Sequence, residues 1–225
     1  MLLVVRFKVE GSLRFLSHAE TLKLFQRACV RAGLRIRYSE GFNPRPKLSL
    51  PLPRPVGVES DDELLCLRVE HAPQPEADIA AESAATDRES GIMAALARQL
   101  PEGCELLSVA MLAAGASFQP RSATYVLPVR REYLSEELKA TIDRVLASEH
   151  LPLRRPMDES GLKFKNVDVR SFLKSIKLED ANIIAECEIS PDGSVRVDEL
   201  LKLLGLDEGA LAAPVRRRKV AWQSG

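Results

Sequence analysis

The sequence lacks the short glycine-, histidine- and serine-based patterns that mark many catalytic and cofactor sites. Its 225 residues contain no Walker loop, no GxGxxG, no HExxH, no GxSxG and no methyltransferase-like glycine loop. Common nucleotide, metalloprotease and serine-hydrolase chemistry therefore has no visible sequence motif in this chain.

Cysteine is scarce and widely spaced. The four cysteines, Cys29, Cys66, Cys104 and Cys187, form no CxxC or CxxxCxxC pattern, and each has apolar neighbours. This spacing predicts buried free thiols in a reducing compartment, and it supports neither a zinc site nor an iron–sulfur cluster held by this chain.

Long apolar runs are missing as well. No run approaches the roughly 18 residues that span a bilayer, and the opening "MLLVV" reaches Arg6 too early for a signal-peptide core. We therefore expect a cytoplasmic protein without a membrane partner.

What the sequence does contain is a strongly uneven charge distribution. Lys plus Arg equal Asp plus Glu at 32 each, yet residues 1–57 hold eleven basic against three acidic residues, a surplus of eight. A basic first quarter joined to an acidic remainder indicates an anionic partner at one place on the surface. The 45% hydrophobic content is typical of a folded protein.

The periodicity predicts an α+β protein of two tandem ferredoxin-like halves, residues 1–113 and 114–225. Ser17 and Glu20 form an S-x-x-E capping box, which predicts a helix over 18–32 that Gly33 ends. A loop or loosely helical insertion is expected over 72–87, and further helices over 89–100, 135–148 and from 197 to Gly205. The predicted strands are "LLVVRFKV", "KLSLPL", "DELLCLRVE", "CELLSVAML", "ATYVLPV", "LPLRR", "VDVRSF", "NIIAECEIS" and "APVRRRKVAW".

The first predicted helix carries Lys23, Arg27 and Arg31 at spacings of four. This ridge lies opposite an apolar stripe formed by Leu22, Phe25, Cys29 and Ala32, so a solvated face is favoured over a phosphate-binding ridge. His18 lies near the apolar side in the first turn. There it suits contact with an anion, a structural role, or general acid/base work.

The most distinctive stretch is Tyr38–Pro55, "YSEGFNPRPKLSLPLPRP". Its five prolines deny backbone donors and predict a rigid extended ribbon at an edge or over the surface. Phe42 and Asn43, followed by Arg45 and Lys47, offer the stacking face, amide and cations that single-stranded RNA requires. A structural alternative stays open, in which Phe42 anchors the ribbon and the prolines protect an edge.

Two shorter basic runs lie at 163–170 and 216–219. Alternation along a strand divides the second run between two faces, so it forms no single patch. In the first run, the spacing of Asp168 and Arg170 predicts an ion pair on one strand face.

The run Arg14–Ser60, "RFLSHAETLKLFQRACVRAGLRIRYSEGFNPRPKLSLPLPRPVGVES", resembles the opening of the radical SAM-linked proteins, a bacterial family of unestablished activity. Later segments "LPEG", "VDVR" and "DGSVRV" are similar to that family's later motifs, with Val197 where proline is usual. Extra residues around 72–88 depart from the pattern. The resemblance implies a radical SAM partner that supplies the iron–sulfur cluster and S-adenosylmethionine, with no cofactor in this chain.

The favoured hypothesis is a non-catalytic accessory protein that presents RNA, such as tRNA or rRNA, to this partner for modification. The alternatives are a metal-independent RNA endonuclease using His18 with Tyr38 or a nearby cation, and a module that only docks on the radical SAM subunit. The candidate binding residues are Arg14, His18, Arg27, Arg31, Tyr38, Phe42, Asn43, Arg45 and Lys47.

Overall fold

The computed structural model describes residues 1–70, 81–156 and 163–225, with only the backbone described over 81–85. Two compact units are present. Unit 1 comprises Met1–Gln119 with Gln223–Gly225, and unit 2 comprises Pro120–Trp222. The division between them lies a few residues after the boundary expected at 113/114.

Unit 1 is a small antiparallel sheet with helices on one face. Its elements are β1 (Leu2–Val9), α1 (His18–Arg31), β2 (Leu48–Ser49), β3 (Glu59–Arg68), α2 (Ala81–Ala97) and β4 (Cys104–Leu112). The strand order is β4-β1-β3-β2, and every neighbouring pair is antiparallel.

The predicted start and end of α1 are both found in the structure. The Ser17 hydroxyl accepts the Glu20 N–H at 3.3 Å, and the Glu20 carboxylate accepts the Ser17 N–H at 2.9 Å, which completes the capping box. Gly33 follows the helix with φ of 76°, a left-handed conformation that favours glycine.

The core of unit 1 lies between α1 and the alternate side chains of the strands. Phe7 of β1 meets Phe25 of α1 edge-to-face with ring centroids 4.5 Å apart, and both are fully buried. Aromatic pairs of this geometry add stability beyond the burial of their area. The same face of the sheet contributes Leu3, Val5, Leu65 and Leu67 to this core.

Unit 2 repeats the serial order of strands and helices with one addition. Its elements are β5 (Phe118–Pro128), α3 (Glu136–Ala147), β6 (Pro152–Pro156), β7 (Phe164–Asp168), β8 (Leu173–Glu179), β9 (Asn182–Glu188), α4 (Val197–Leu203) and β10 (Arg216–Ser224). The strand order is β10-β5-β9-β8, while β6 and β7 form a separate antiparallel pair.

The predicted mixture of helices and strands is confirmed. Each unit has a β-α-β-β-α-β order once the β6–β7 pair is set aside. The finer assignment to tandem ferredoxin-like domains stays a prediction.

Four elements differ from the sequence prediction. Helix α2 begins by Ala81 and not near 89, so the described part of the expected insertion takes its helical alternative. The sequence did not reveal this start, because the first turns are alanine-rich and carry no apolar stripe. The expected strand "VDVRSF" ends at Asp168 and continues as a 3₁₀ turn, Arg170–Phe172. Strand β8 was not expected, and β5 begins at Phe118, five residues before the expected strand "ATYVLPV". Residues 72–80 of the expected insertion lie outside the described residues.

Within the described ranges, no helix combines the length and apolar character needed to cross a membrane.

Candidate nucleic-acid interface

The stretch after α1 folds back on itself as a hairpin, which we call the basic hairpin (residues 35–49). Tyr38 bridges Pro46, the Lys47 N–H donates to the Arg37 carbonyl at 2.8 Å, and the Ser39 N–H donates to the Arg45 carbonyl at 2.8 Å. The prediction of one uninterrupted ribbon over Tyr38–Pro55 is therefore wrong at the tip, whereas the expected edge position is confirmed by β2, which pairs with β3. Prolines exclude a regular ladder, yet the donors between them are enough to close a seven-residue tip.

The base of the basic hairpin is anchored to the end of β3. The Arg37 N–H donates to the Arg68 carbonyl at 2.8 Å, and the Arg68 N–H donates to the Lys47 carbonyl at 2.8 Å. Ile36, between two exposed arginines, is buried in the core of unit 1. Because side chains alternate along this segment, Ile36 anchors the hairpin in the core while Arg35 and Arg37 point to solvent.

The tip presents an aromatic ring to solvent. Phe42 is fully exposed, Asn43 is exposed beside it, and Tyr38 is 45% exposed at the bridge. Gly41 holds φ of 120°, a conformation that side-chain-bearing residues rarely adopt. The structural alternative in which Phe42 anchors the ribbon onto the core is contradicted by its exposure.

Cations lie along the basic hairpin from its base to its tip. Arg35, Arg37, Arg45 and Lys47 are all exposed, and Arg68 lies half-buried where the hairpin meets β3. Within the part of the chain that the structure describes, none of these five side chains forms an ion pair. A hairpin that carries such cations together with an exposed aromatic ring is suited to contact phosphates and to stack a base.

Sequence reasoning did not select Arg35, Arg37 or Arg68 as site residues. The signal was present in the period-two alternation of "RIR" and "CLRV", which places each arginine opposite a core residue. What it did not reveal is that backbone hydrogen bonds bring residue 68 beside residues 37 and 47.

The α1 candidates lie on a solvated face. Lys23, Arg27 and Arg31 are exposed, while Phe25 and Cys29 on the other side of the helix are fully buried. Among the described residues, no hydrogen bond or ion pair connects Arg27 or Arg31 to the basic hairpin. The arrangement is that of an ordinary amphipathic helix.

Arg14 and His18 are engaged differently. The Arg14 guanidinium donates to the Gly11 carbonyl at 2.8 Å and lies 4.3 Å from the centre of the exposed Phe15 ring. His18 begins α1 with its Nδ1 atom buried, and among the described residues that atom has no hydrogen-bond partner. No described hydrogen bond links His18 to Tyr38, the partner that the endonuclease hypothesis needs.

Arg54, counted in the sequence only as part of a basic ribbon, has a structural role. Its guanidinium is buried and donates to five backbone carbonyls, those of Leu13, Arg14, Leu16, Pro55 and Val58, at 2.6 to 3.3 Å. These bonds hold the turn that leads into α1. Periodicity could not reveal this role, because three of the acceptors, those of Leu13, Arg14 and Leu16, come from a segment about 40 residues earlier.

The predicted ion pair between Asp168 and Arg170 is wrong. The Asp168 carboxylate accepts N–H bonds from Leu151 at 2.8 Å and Arg170 at 3.0 Å, and it meets His150 Nδ1 at 2.7 Å. The Arg170 guanidinium instead donates to the carbonyls of Leu146, Ser148 and Leu173. A two-residue spacing keeps side chains together only on a strand, and the strand ends at Asp168.

The cysteines are free thiols. Cys29, Cys66 and Cys187 are buried, while Cys104 is half-buried. Burial raises the pKa of the Cys29 and Cys104 thiols to about 12, so they stay protonated and unreactive at neutral pH. Across the described residues, no three His, Cys, Asp or Glu side chains converge as they would around a metal ion.

Fold and site together define a two-unit α/β protein with an exposed, aromatic-tipped basic hairpin. The chain belongs to a family described as "uncharacterized protein conserved in bacteria (DUF2344)", whose model matches residues 3–199. The matched range includes the whole basic hairpin. A search of curated proteins found no significant match. The family match brings no link to radical SAM proteins, so that association stays a prediction.

Proposed function

We propose that this protein is an accessory RNA-binding protein whose basic hairpin grips a structured or single-stranded RNA during modification by a radical SAM partner. The observation that carries the proposal is the fully exposed Phe42 ring at the tip of a hairpin with four exposed cations that form no ion pair with any described residue. An isolated apolar ring held in water has no stabilising role in the fold of unit 1.

The rigidity of the arm supports this proposal. The backbone bonds to β3 and the buried Ile36 hold the hairpin base, while the Arg45 N–H donates to the Ser39 hydroxyl across the tip at 2.9 Å. A tip whose backbone is already held loses little conformational entropy when a base stacks on Phe42.

Charge also supports RNA over a protein partner. Within the basic hairpin the only acid is Glu40, against the four exposed cations Arg35, Arg37, Arg45 and Lys47. A surface for protein docking is usually depleted in charge at its core, whereas phosphate contacts need cations around the stacking face.

The proposal also includes two further points: the tandem ferredoxin-like domains and the radical SAM partner. Tandem ferredoxin-like domains are supported by the shared serial order of the two units and by the antiparallel neighbours in unit 1. The radical SAM partner, and the view that iron–sulfur cluster and S-adenosylmethionine reside there, rest on the resemblance of Arg14–Ser60 to the radical SAM-linked proteins.

The test is RNA binding by the intact protein, measured by fluorescence anisotropy with labelled single-stranded and stem-loop RNA. Phe42→Ala removes a stacking platform, which is worth about 1 to 3 kcal/mol per base, so affinity should fall roughly 5- to 100-fold. Phe164→Ala is the matched control, because Phe164 is also an exposed phenylalanine but lies on β7 of unit 2.

Failure to bind RNA at low salt, or equal losses in Phe42→Ala and Phe164→Ala, would sink the proposal. Capture of a radical SAM protein that survives nuclease treatment and is lost in Phe42→Ala, without RNA binding, would assign the hairpin to protein docking instead.

A further inference from the structure

An open groove of about 470 Å³ lies in unit 1 beside the basic hairpin. Its lining residues are Leu2, Pro46, Lys47, Leu48, Ser49, Pro51, Cys66, Arg68, Ala116, Ser117 and Phe118. The strand register pairs Leu2 with Arg68 and Ser49 with Cys66, so these four side chains share one face of the sheet. That face is the one opposite to the core under α1, to which Leu3 and Leu67 point.

The lining combines two cations with apolar and hydroxyl groups. Lys47 and Arg68 line it, and within the described residues neither forms an ion pair. No carboxylate is among the described lining residues. Leu2 is buried at the floor and Phe118 is half-buried at the wall, while Ser49 and Ser117 supply hydroxyl groups.

Arg68 lies close enough to the floor of the groove to act on Cys66. Burial raises the pKa of the Cys66 thiol to about 11, and the nearby Arg68 charge opposes that rise. A guanidinium in this position presents a fork of donors that matches the geometry of a phosphate group.

We propose that this groove binds one nucleoside monophosphate unit, with its phosphate on Lys47 and Arg68 and its base against Leu2 and Phe118. The volume lies within the range of small-ligand sites, and the charge requires an anionic ligand. The inference deepens the proposed function and rests on it, since Lys47 belongs to the basic hairpin. The same chemistry occurs in a free nucleotide and in one nucleotide of an RNA chain.

The experiment is calorimetric titration of the intact protein with 5′-AMP, with adenosine and with inorganic phosphate. We expect 5′-AMP to bind more tightly than either fragment. The double variant Lys47→Gln/Arg68→Gln removes charge-assisted bonds to phosphate and should weaken 5′-AMP binding about tenfold or more. The control Arg131→Gln/Arg144→Gln removes the same charge from exposed positions of unit 2 and should leave binding unchanged.

A second variant, Ser49→Trp, fills the groove without altering its charge. It should abolish 5′-AMP binding while urea unfolding confirms that unit 1 stays folded. If Ser49→Trp also lowers the affinity for short single-stranded RNA, the bound nucleotide belongs to an RNA chain. If the affinity for RNA is unchanged, the ligand is a free nucleotide. Both results support the groove as a nucleotide site.

Absence of 5′-AMP binding, or binding that is indifferent to both groove variants, would overturn the inference. If RNA binding still depends on Phe42 in that case, the proposed function stands without the groove. If 5′-AMP binds in the groove and RNA does not bind at all, the groove stands and the proposed RNA function falls.

Discussion

Arg54 adds to the basic composition of the N-terminal region, yet its side chain has a structural role and is not available for binding. Its guanidinium faces five carbonyls of the turn before α1 and of its own loop. Without Arg54 the five carbonyls must find water or stay unpaired, and a buried unpaired polar group costs free energy. The charge of Arg54 is thus not part of the binding surface.

The substitution Arg54→Met should lower the free energy of unfolding by about 3 kcal/mol, because hydrogen bonds from a buried charged group are lost together. Urea unfolding at neutral pH measures this. Arg27→Met is the matched control, since Arg27 is exposed on α1, and its effect should stay within about 0.5 kcal/mol. Similar losses in the two variants would show that Arg54 does not hold the turn.

At the scale of elements, the junction between α3, β6 and β7 depends on one carboxylate. Backbone N–H bonds from Leu151 and Arg170, followed by the bond to His150, lower the pKa of Asp168 from its ordinary 3.8 to about 2. Because the folded pKa is below the unfolded value, the stabilisation is present above about pH 4 and is lost as pH falls toward 2.

Asp168→Asn should therefore flatten the loss of stability between pH 4 and pH 2 relative to the parent protein. The urea midpoint measured across this range is the readout. Asp143→Asn, at an exposed position on α3, serves as the control and should keep the parent's slope. A parent-like slope in Asp168→Asn would remove this carboxylate from the acid response.

The hairpin is the element in which sequence reasoning and structure differ most. The composition of Tyr38–Pro55 revealed an exposed, basic and aromatic segment, because prolines and glycine restrict the backbone locally. The return of the chain at Ser39–Arg45 depends on two pairings of backbone groups that no periodicity encodes. The same limit explains why β8 was missed next to a 3₁₀ turn.

At the scale of the whole molecule, most of the basic residues among residues 1–57 remain exposed to solvent. Arg54 is used by the fold, whereas Arg35, Arg37, Arg45 and Lys47 remain exposed. A binding site in which all four cations contact phosphates displaces counterions from a single strand, and affinity then depends on salt.

We expect the logarithm of the RNA association constant to fall with the logarithm of salt concentration at a slope of roughly −3, from about −0.7 for each of four phosphates. The variant Arg35→Gln/Arg37→Gln should reduce the slope by about 1.4. Lys23→Gln/Arg27→Gln changes the net charge equally on α1 and should leave the slope unaltered. An equal change of slope in both variants would mean that the salt dependence of RNA affinity reflects the net charge of the protein and not the cations of the hairpin.

The sequence by itself determined the elements whose causes are local: the capping box that begins α1, the alternation that buries one face of β3, the apolar stripe of α3, and the exposed basic character of the hairpin. Tertiary structure alone decided which cations are free. Arg54 donates to carbonyls about 40 residues away, and Arg68 joins Lys47 through backbone bonds between distant segments. The physical reason is that a cation's role depends on the acceptors around it, and chain folding brings these from outside its own segment.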